Sequence, residues 1–214
     1  MSADPVFRLR REAWGFAIGS LFFMVGAVPF YAEAVGTTVD NLTFFIGALF
    51  FTGAALIQLG LSGRRPPRRG TNRPDSFDWW SAAVQFVGTL FFNISTTDAL
   101  LHSINDAARV NDGWRPDVFG SICFLVSSAF AVVATTERER LWDPRARTWQ
   151  CTWLNMTGSV LFGLSAIGAY VIPSTGDLLS LFWANAGTLL GAACFFVAAL
   201  LSRPARVPAP TPQH

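Results

Sequence analysis

The chain has 214 residues, of which 51% are hydrophobic, 14% aromatic and only 14% charged, against roughly one in four charged for a soluble globular domain. That balance excludes an ordinary water-soluble fold, because too little polar material remains to cover one. The 16 basic residues are all arginines and the net charge is only +2, a basic usage that points to a GC-rich bacterial genome.

Arg8, Arg10 and Arg11 precede the first apolar block, which runs over 14–31, and a second follows over 42–61. The segment 62–77 is rich in Arg and Pro, with Arg64, Arg65, Pro66, Pro67, Arg68, Arg69 and Arg73. A third block over 79–98 and a fourth over 118–135 flank a connection whose only basic residues are Arg109 and Arg115. Arg138, Arg140, Arg145 and Arg147 come next, then blocks over 150–172 and 178–202, then Arg203 and Arg206. The residues from 207 to 214, with Pro208, Pro210 and Pro212, read as a disordered tail.

Each block has about the ~20 residues needed to cross a ~30 Å hydrocarbon core. The arginines alternate strictly, with 14 on one set of connections and 2 on the other, and cytoplasmic loops are those that retain them. The sequence therefore predicts an all-α, polytopic membrane helix bundle of six transmembrane helices. Residues 1–206 form its single domain, both termini are cytoplasmic, and the setting is a bacterial inner membrane. An alternative takes Leu9-Arg10-Arg11, the first apolar run and Ala32-Glu33-Ala34 as a cleavable signal peptide, which leaves five spans. The run is longer than the ~7–15 residues of a signal core, and it belongs to an internal repeat, so a retained span is the expectation.

The repeat is short: Gly19-Ser20-Leu21-Phe22-Phe23, Gly47-Ala48-Leu49-Phe50-Phe51, Gly88-Thr89-Leu90-Phe91-Phe92, Gly120-Ser121-Ile122-Cys123-Phe124, Gly158-Ser159-Val160-Leu161-Phe162 and Gly187-Thr188-Leu189-Leu190-Gly191. Its glycines are 28, 41, 32, 38 and 29 residues apart, and the alternation predicts three tandem helical hairpins over 12–61, 78–135 and 149–202. A tryptophan opens each first span, at Trp14, at Trp79 or Trp80, and at Trp149 or Trp153, where an indole suits the headgroup layer. Gly15 and Gly19, Ser159 and Gly163, and Gly187 and Gly191 sit four apart, the spacing of close helix crossings in lipid. The same small-residue faces leave a pore lining or a homo-oligomer as other uses. A Trp-initiated span, a short turn and a second span with Phe44-Phe-Ile-Gly-Ala-Leu-Phe-Phe51 resembles the two-helix YrhK-type membrane domain. The likeness is best over spans one and two, and it implies paired membrane helices with no catalytic residues to carry over.

Polar residues inside a bilayer are functional suspects because each needs a partner there. Gln85, Asn93, Asp98, Asn155 and Asn185 are the candidates for a polar path through the bundle. Asp98 lies roughly twenty residues beyond Trp79, which favours an interfacial, structural role, and paired amides equally account for the rest. His102 and His214 are the two histidines, and Cys123, Cys151 and Cys194 are too far apart for a metal motif. No catalytic signature appears, so no cofactor, metal or nucleic-acid partner is expected. Arg64, Arg65, Arg68, Arg69 and Arg73 are topogenic and also candidates for holding anionic lipid. The expected function is that of a non-enzymatic structural, assembly or sensing component, with a small-solute or ion carrier or channel as the alternative.

Overall fold

In long apolar runs the backbone has no water to bond and must close its hydrogen bonds internally, which helices do. The computed structural model describes residues 5–63, 65–105 and 115–204; Arg64, Arg109, Arg206, His214 and the tail over 207–214 lie outside them. Its helices are α1 (Pro5–Gly26), α2 (Pro29–Val35), α3 (Thr37–Ser62), α4 (Arg73–Ile104), α5 (Pro116–Arg138), α6 (Arg147–Gly168) and α7 (Leu181–Ser202). Among the described residues the one departure from helix pairing is an isolated antiparallel bridge between Val171 and Leu178.

Several predicted boundaries move. The first block, expected to run to residue 31, breaks after Gly26, and α2 turns away from α1 by 78°. Pro29 causes the break: it has no N–H to donate, forces Val28 into an extended conformation (φ −86°, ψ 114°), and takes the first position of α2. Tyr31 Oη and Thr43 Oγ1, 2.8 Å apart, then pin α2 to α3. The fifth predicted span, α6, ends at Gly168 instead of residue 172, because Pro173 cannot continue it and Ile172 before it is driven extended. A tight turn forms there: the Ile172 N–H donates to Asp177 O at 2.8 Å, the Leu179 N–H donates to Tyr170 O at 2.8 Å, and Gly176 takes φ +73°. The final helix accordingly begins at 181 and not 178. Residues 73–77, predicted as loop, are the first turn of α4, with Pro74 near its start.

Three helices, α3, α5 and α7, are long and apolar enough to cross a membrane, and α1 with α2 makes a fourth if the bent pair is one span. That falls short of the six predicted from apolar blocks. The three that qualify are the second helices of the three hairpins. The first helices carry more polar side chains, such as Gln85 and Asn93 on α4 and Asn155 and Ser159 on α6.

The most extensive packing joins α1 with α3, α4 with α5, and α6 with α7; α3–α4, α5–α6 and α7–α1 contacts close the six into a ring. Glycine sets how closely each pair approaches. A Cβ on Gly120 would lie 2.7 Å from the Phe92 ring and one on Gly88 2.8 Å from the Phe124 ring, while Gly47 and Gly191 face Phe23 and Phe162 in the same way. Each hairpin is thus a reciprocal exchange, with a phenylalanine of one helix seated over the glycine of the other. In α7 the exchanging glycine is Gly191, which receives Phe162 while Phe195 reaches Gly158, and not Gly187 as the repeat pattern predicts. At the Gly158–Gly191 crossing, a Cβ added to either glycine would stand 3.0 Å from the carbonyl oxygen of the other. The residue after the glycine is Ser20, Ala48, Thr89, Ser121, Ser159 or Ala192, none more than 2% exposed.

Four residues beyond each glycine stands a buried phenylalanine, and the six meet on the ring's axis. Phe23, Phe92 and Phe162 from the first helices form one triangle with centroid separations of 6.0, 6.0 and 5.7 Å. Phe51, Phe124 and Phe195 from the second helices form another, with separations of 6.4, 6.2 and 5.8 Å. The two triangles stack through hairpin pairs at 5.1 to 5.5 Å. The result is an octahedron of aromatic rings with approximate three-fold symmetry.

Candidate functional site

The end of the bundle carrying the α2–α3, α4–α5 and α6–α7 turns is termed the hairpin end, and the opposite one, with Arg8 and Arg203, the terminal end. First helices run toward the hairpin end, so the Phe23–Phe92–Phe162 triangle lies nearer to it. Above that triangle is a cavity of about 200 Å³ with the three rings as its floor and walls drawn from all six long helices. Asn41, Ser95, Thr96, Arg115, Asp117, Ser121, Ser165, Asn185 and Thr188 supply its polar lining.

Most of that lining is held by its own walls. The Asn41 amide donates to Ala99 O (3.2 Å), Thr96 Oγ1 to Phe92 O (2.9 Å) and Ser121 Oγ to Phe162 O (3.3 Å). Ser165 Oγ donates to Ala184 O (2.7 Å) and lies 2.6 Å from Thr188 Oγ1. Ser95 and Asn185 make no side-chain hydrogen bond among the described residues. One guanidinium, one carboxylate and an amide over an aromatic floor suit a small polar ligand. They form a blind recess: the second phenylalanine triangle closes the axis below it.

The five polar residues picked from sequence are not gathered there. Asn185 alone lines the cavity. Asn93 Nδ2 donates across to Thr52 Oγ1 on α3 at 2.7 Å, its Oδ1 buried without a partner among the described residues. Gln85 Oε1 accepts from Ser127 Oγ at 3.3 Å, within an α4–α5 contact where Ser81 and Ser127 also bond. Asp98 meets His102 of the next turn, whose Nδ1 lies 2.8 Å from the Asp98 backbone O and 3.3 Å from its carboxylate, which is 37% exposed. Asn155 is half-buried on α6. The glycines singled out divide more sharply. Gly15, Gly19, Gly47, Gly88, Gly120, Gly158, Gly187 and Gly191 stand where a Cβ would come to 3.0 Å or less, whereas at Gly163 it would meet only Leu125, at 3.5 Å.

Asn41, Arg115 and Asp117 escaped the sequence reading because they fall just before the apolar blocks over 42–61 and 118–135, where polar residues read as connection; α3 and α5 in fact start earlier, at Thr37 and Pro116. A signal was available: Asn41 and Asn185 each stand six residues before their motif glycines, Gly47 and Gly191.

At the terminal end, Arg138 forms ion pairs with Asp75 (2.5 Å) and Asp78, and Arg73 pairs with Glu137 at 3.1 Å. The amino end of α4 and the carboxyl end of α5 are thereby tied; Asp75 and Asp78 against Arg138 have the charge signs each helix end favours, and Arg73 against Glu137 the reverse. Trp79 Nε1 donates to Gly63 O at 3.0 Å and Trp149 Nε1 to Leu141 O at 2.8 Å. Arg65, Arg68 and Arg69 are exposed. Among the described residues no group of three His, Cys, Asp or Glu side chains could hold a metal ion.

Comparison with family models, with curated proteins and with solved structures finds no match to this chain.

Proposed function

We propose that the chain is a six-span, non-enzymatic membrane protein of three hairpins, a structural, assembly or sensing component whose interior conducts nothing along its axis. The observation that carries this reading is the phenylalanine octahedron, in which one ring from each of six helices fills the place a pore would occupy. The same cluster supports six spans. If α3, α5 and α7 cross a bilayer, then α1, α4 and α6, whose phenylalanines meet theirs ring to ring, cross the same slab. Several of their polar side chains, such as Asn93, Ser81 and Ser159, bond to neighbouring helices, which offsets the cost of placing them in lipid.

Two residues beyond the motif glycine, Leu21, Leu49, Leu90, Ile122 and Val160 are 40 to 51% exposed. They encircle the phenylalanine layer with an apolar belt suited to lipid, and such a belt in water is a liability. The arginines at the terminal end favour a cytoplasmic placement of both termini, and the all-arginine basicity favours a bacterial inner membrane. The resemblance of the first hairpin to the two-helix YrhK-type unit is part of the same proposal, as is an anionic-lipid role for Arg65, Arg68 and Arg69.

One observation favours a second reading, a carrier: the polar recess at the hairpin end with Arg115, Asp117 and Asn185. Transport from it would require the aromatic plug to part. Reconstitution into dye-loaded vesicles separates the two. The expected result is no proton or small-solute flux above empty vesicles for the wild type, with leak appearing in a Phe92→Ala, Phe124→Ala double variant. Wild-type flux abolished by Asn185→Leu would overturn the structural reading in favour of the carrier.

A further inference from the structure

A second concavity runs along the outside of the first hairpin. It is a groove of about 500 Å³ between α1 and α3 at the terminal end, bounded by Phe7, Arg10, Arg11, Trp14, Phe50 and Ile57 among others, with Gly15 and Gly53 in its floor. The other two hairpins have no counterpart for its glycines. Aligned on the motif glycine, Gly53 of α3 corresponds to Val126 of α5 and Val197 of α7, which are 41% and 44% exposed. Gly15 of α1 corresponds to Val84 of α4 and Leu154 of α6. Close crossing explains Gly15, whose Cβ would lie 2.9 Å from Ala54 Cβ, but not Gly53, where a Cβ would meet nothing within 4 Å. A valine or leucine would fit there and shield the helix, so the missing side chain marks space kept for something else.

The mouth of the groove differs in the same way. Where α4 has Trp79 and Trp80 and α6 has Trp149 and Gln150, α1 has Arg10 and Arg11. Both are exposed, and neither is in an ion pair among the described residues; Arg11 rests over the Phe7 ring at 5.6 Å. A third cation, Arg203, lies over the Trp14 indole at 5.1 Å from the ring centre. From Phe7 to Ile18 the helix rises about 16 Å, close to one leaflet of a ~30 Å hydrocarbon core. Two guanidiniums, an indole at headgroup level and an apolar channel one leaflet deep are complementary to a single class of molecule.

We infer that the α1–α3 groove is a binding site for one anionic phospholipid, its phosphate held by Arg10 and Arg11 and an acyl chain laid over Gly15 and Gly53. The inference rests on the membrane-spanning reading given above. It concerns different residues from the arginines of the 62–77 segment, for which an anionic-lipid role is proposed above.

The test uses the full chain in phosphatidylcholine vesicles carrying a trace of spin-labelled phosphatidylglycerol or spin-labelled phosphatidylcholine, with the motionally restricted fraction read by electron paramagnetic resonance. The wild type should prefer phosphatidylglycerol, and Arg10→Gln or Arg11→Gln should each lower that preference by roughly fivefold. Gly53→Leu, which fills the groove and leaves both arginines in place, should remove it as well, while Val197→Leu on α7 should not change it. A wild type without lipid preference overturns the site. A Gly53→Leu variant with undiminished preference also overturns it, because the arginines would then act as surface charge alone. Protein that fails to insert, and is stripped from the vesicles by alkaline carbonate, refutes the spanning reading itself.

Discussion

Replacing Gly187 with alanine adds one methyl group where α6 and α7 cross. That methyl would stand 2.7 Å from Leu161 O, 2.7 Å from Ser165 N and 2.8 Å from Ser165 Cβ. The first two are backbone atoms, so no rotamer change relieves them. Reaching an ordinary contact near 3.4 Å requires the helices to part by about 0.7 Å, the difference between that contact and the 2.7 Å distance. Parting them stretches the bonds of Ser165 Oγ to Ala184 O and Thr188 Oγ1, now 2.7 and 2.6 Å. Overpacking of this kind costs about 1–3 kcal/mol, interhelical bonds in lipid average about 0.6 kcal/mol, and alanine returns about 1 kcal/mol of helix propensity. Gly187→Ala should therefore destabilise by about 1–3 kcal/mol. Gly53→Ala, with open space around its Cβ, keeps the propensity gain and should be neutral to about 1 kcal/mol more stable. Reversible unfolding in mixed micelles on titration with sodium dodecyl sulfate, followed by circular dichroism, measures both. Equal stabilities for the two variants would refute the claim that backbone contact at Gly187 sets the α6–α7 distance.

Other expectations concern the core and its seams. Phe92→Ala removes a ring in contact with Phe23, Phe124 and Phe162 and should cost about 3–5 kcal/mol. Phe50→Ala, 38% exposed and stacked on Phe22 at the rim, should cost far less; similar losses in the same unfolding titration would argue against the octahedron as the core. Ser159 Oγ lies 2.8 Å from Ser128 Oγ across the α5–α6 seam, whereas Ser20, at the matching place on α1, has a buried hydroxyl with no partner among the described residues. The residue that corresponds to Ser128 is Ala199 on α7, so Ala199→Ser should stabilise by about 0.6–1.7 kcal/mol. In a Ser20→Ala background the gain should disappear, and an equal gain there would show that no bond forms. Arg138→Ala breaks pairs with Asp75 and Asp78 whose side chains are 40 to 60% exposed, so it should cost under about 1 kcal/mol. Its effect should shrink further in 1 M salt, and a salt-insensitive loss would point to packing instead.

The apolar blocks, the alternating arginines and the glycine–phenylalanine repeat were legible in the residues, because span length, charge sidedness and small-residue spacing are properties of one helix at a time. Pro29 and Pro173 were equally visible, yet Pro29 lay inside a run whose hydropathy argued for continuing and Pro173 directly after one, and the helix in each case stopped short of the proline. The register of α7 was legible but overlooked: Gly191 has a phenylalanine four residues on, at Phe195, as the other motif glycines do, while Gly187 has only Gly191 there, and the seating of Phe162 over Gly191 agrees. Asn93 and Gln85 looked like members of one path and are instead separate bonds to α3 and α5, since the direction in which a helix turns its polar side depends on which neighbours surround it.

The sequence alone thus determined that this chain makes apolar helices in pairs, which end carries the positive charge, and where helices can touch. Only the tertiary structure decided that three hairpins close into a ring, that six phenylalanines fill its axis, and that the polar recess lies above the plug and not through it. Those outcomes depend on side chains from different helices meeting at one level, and no single helix encodes the level of its neighbours.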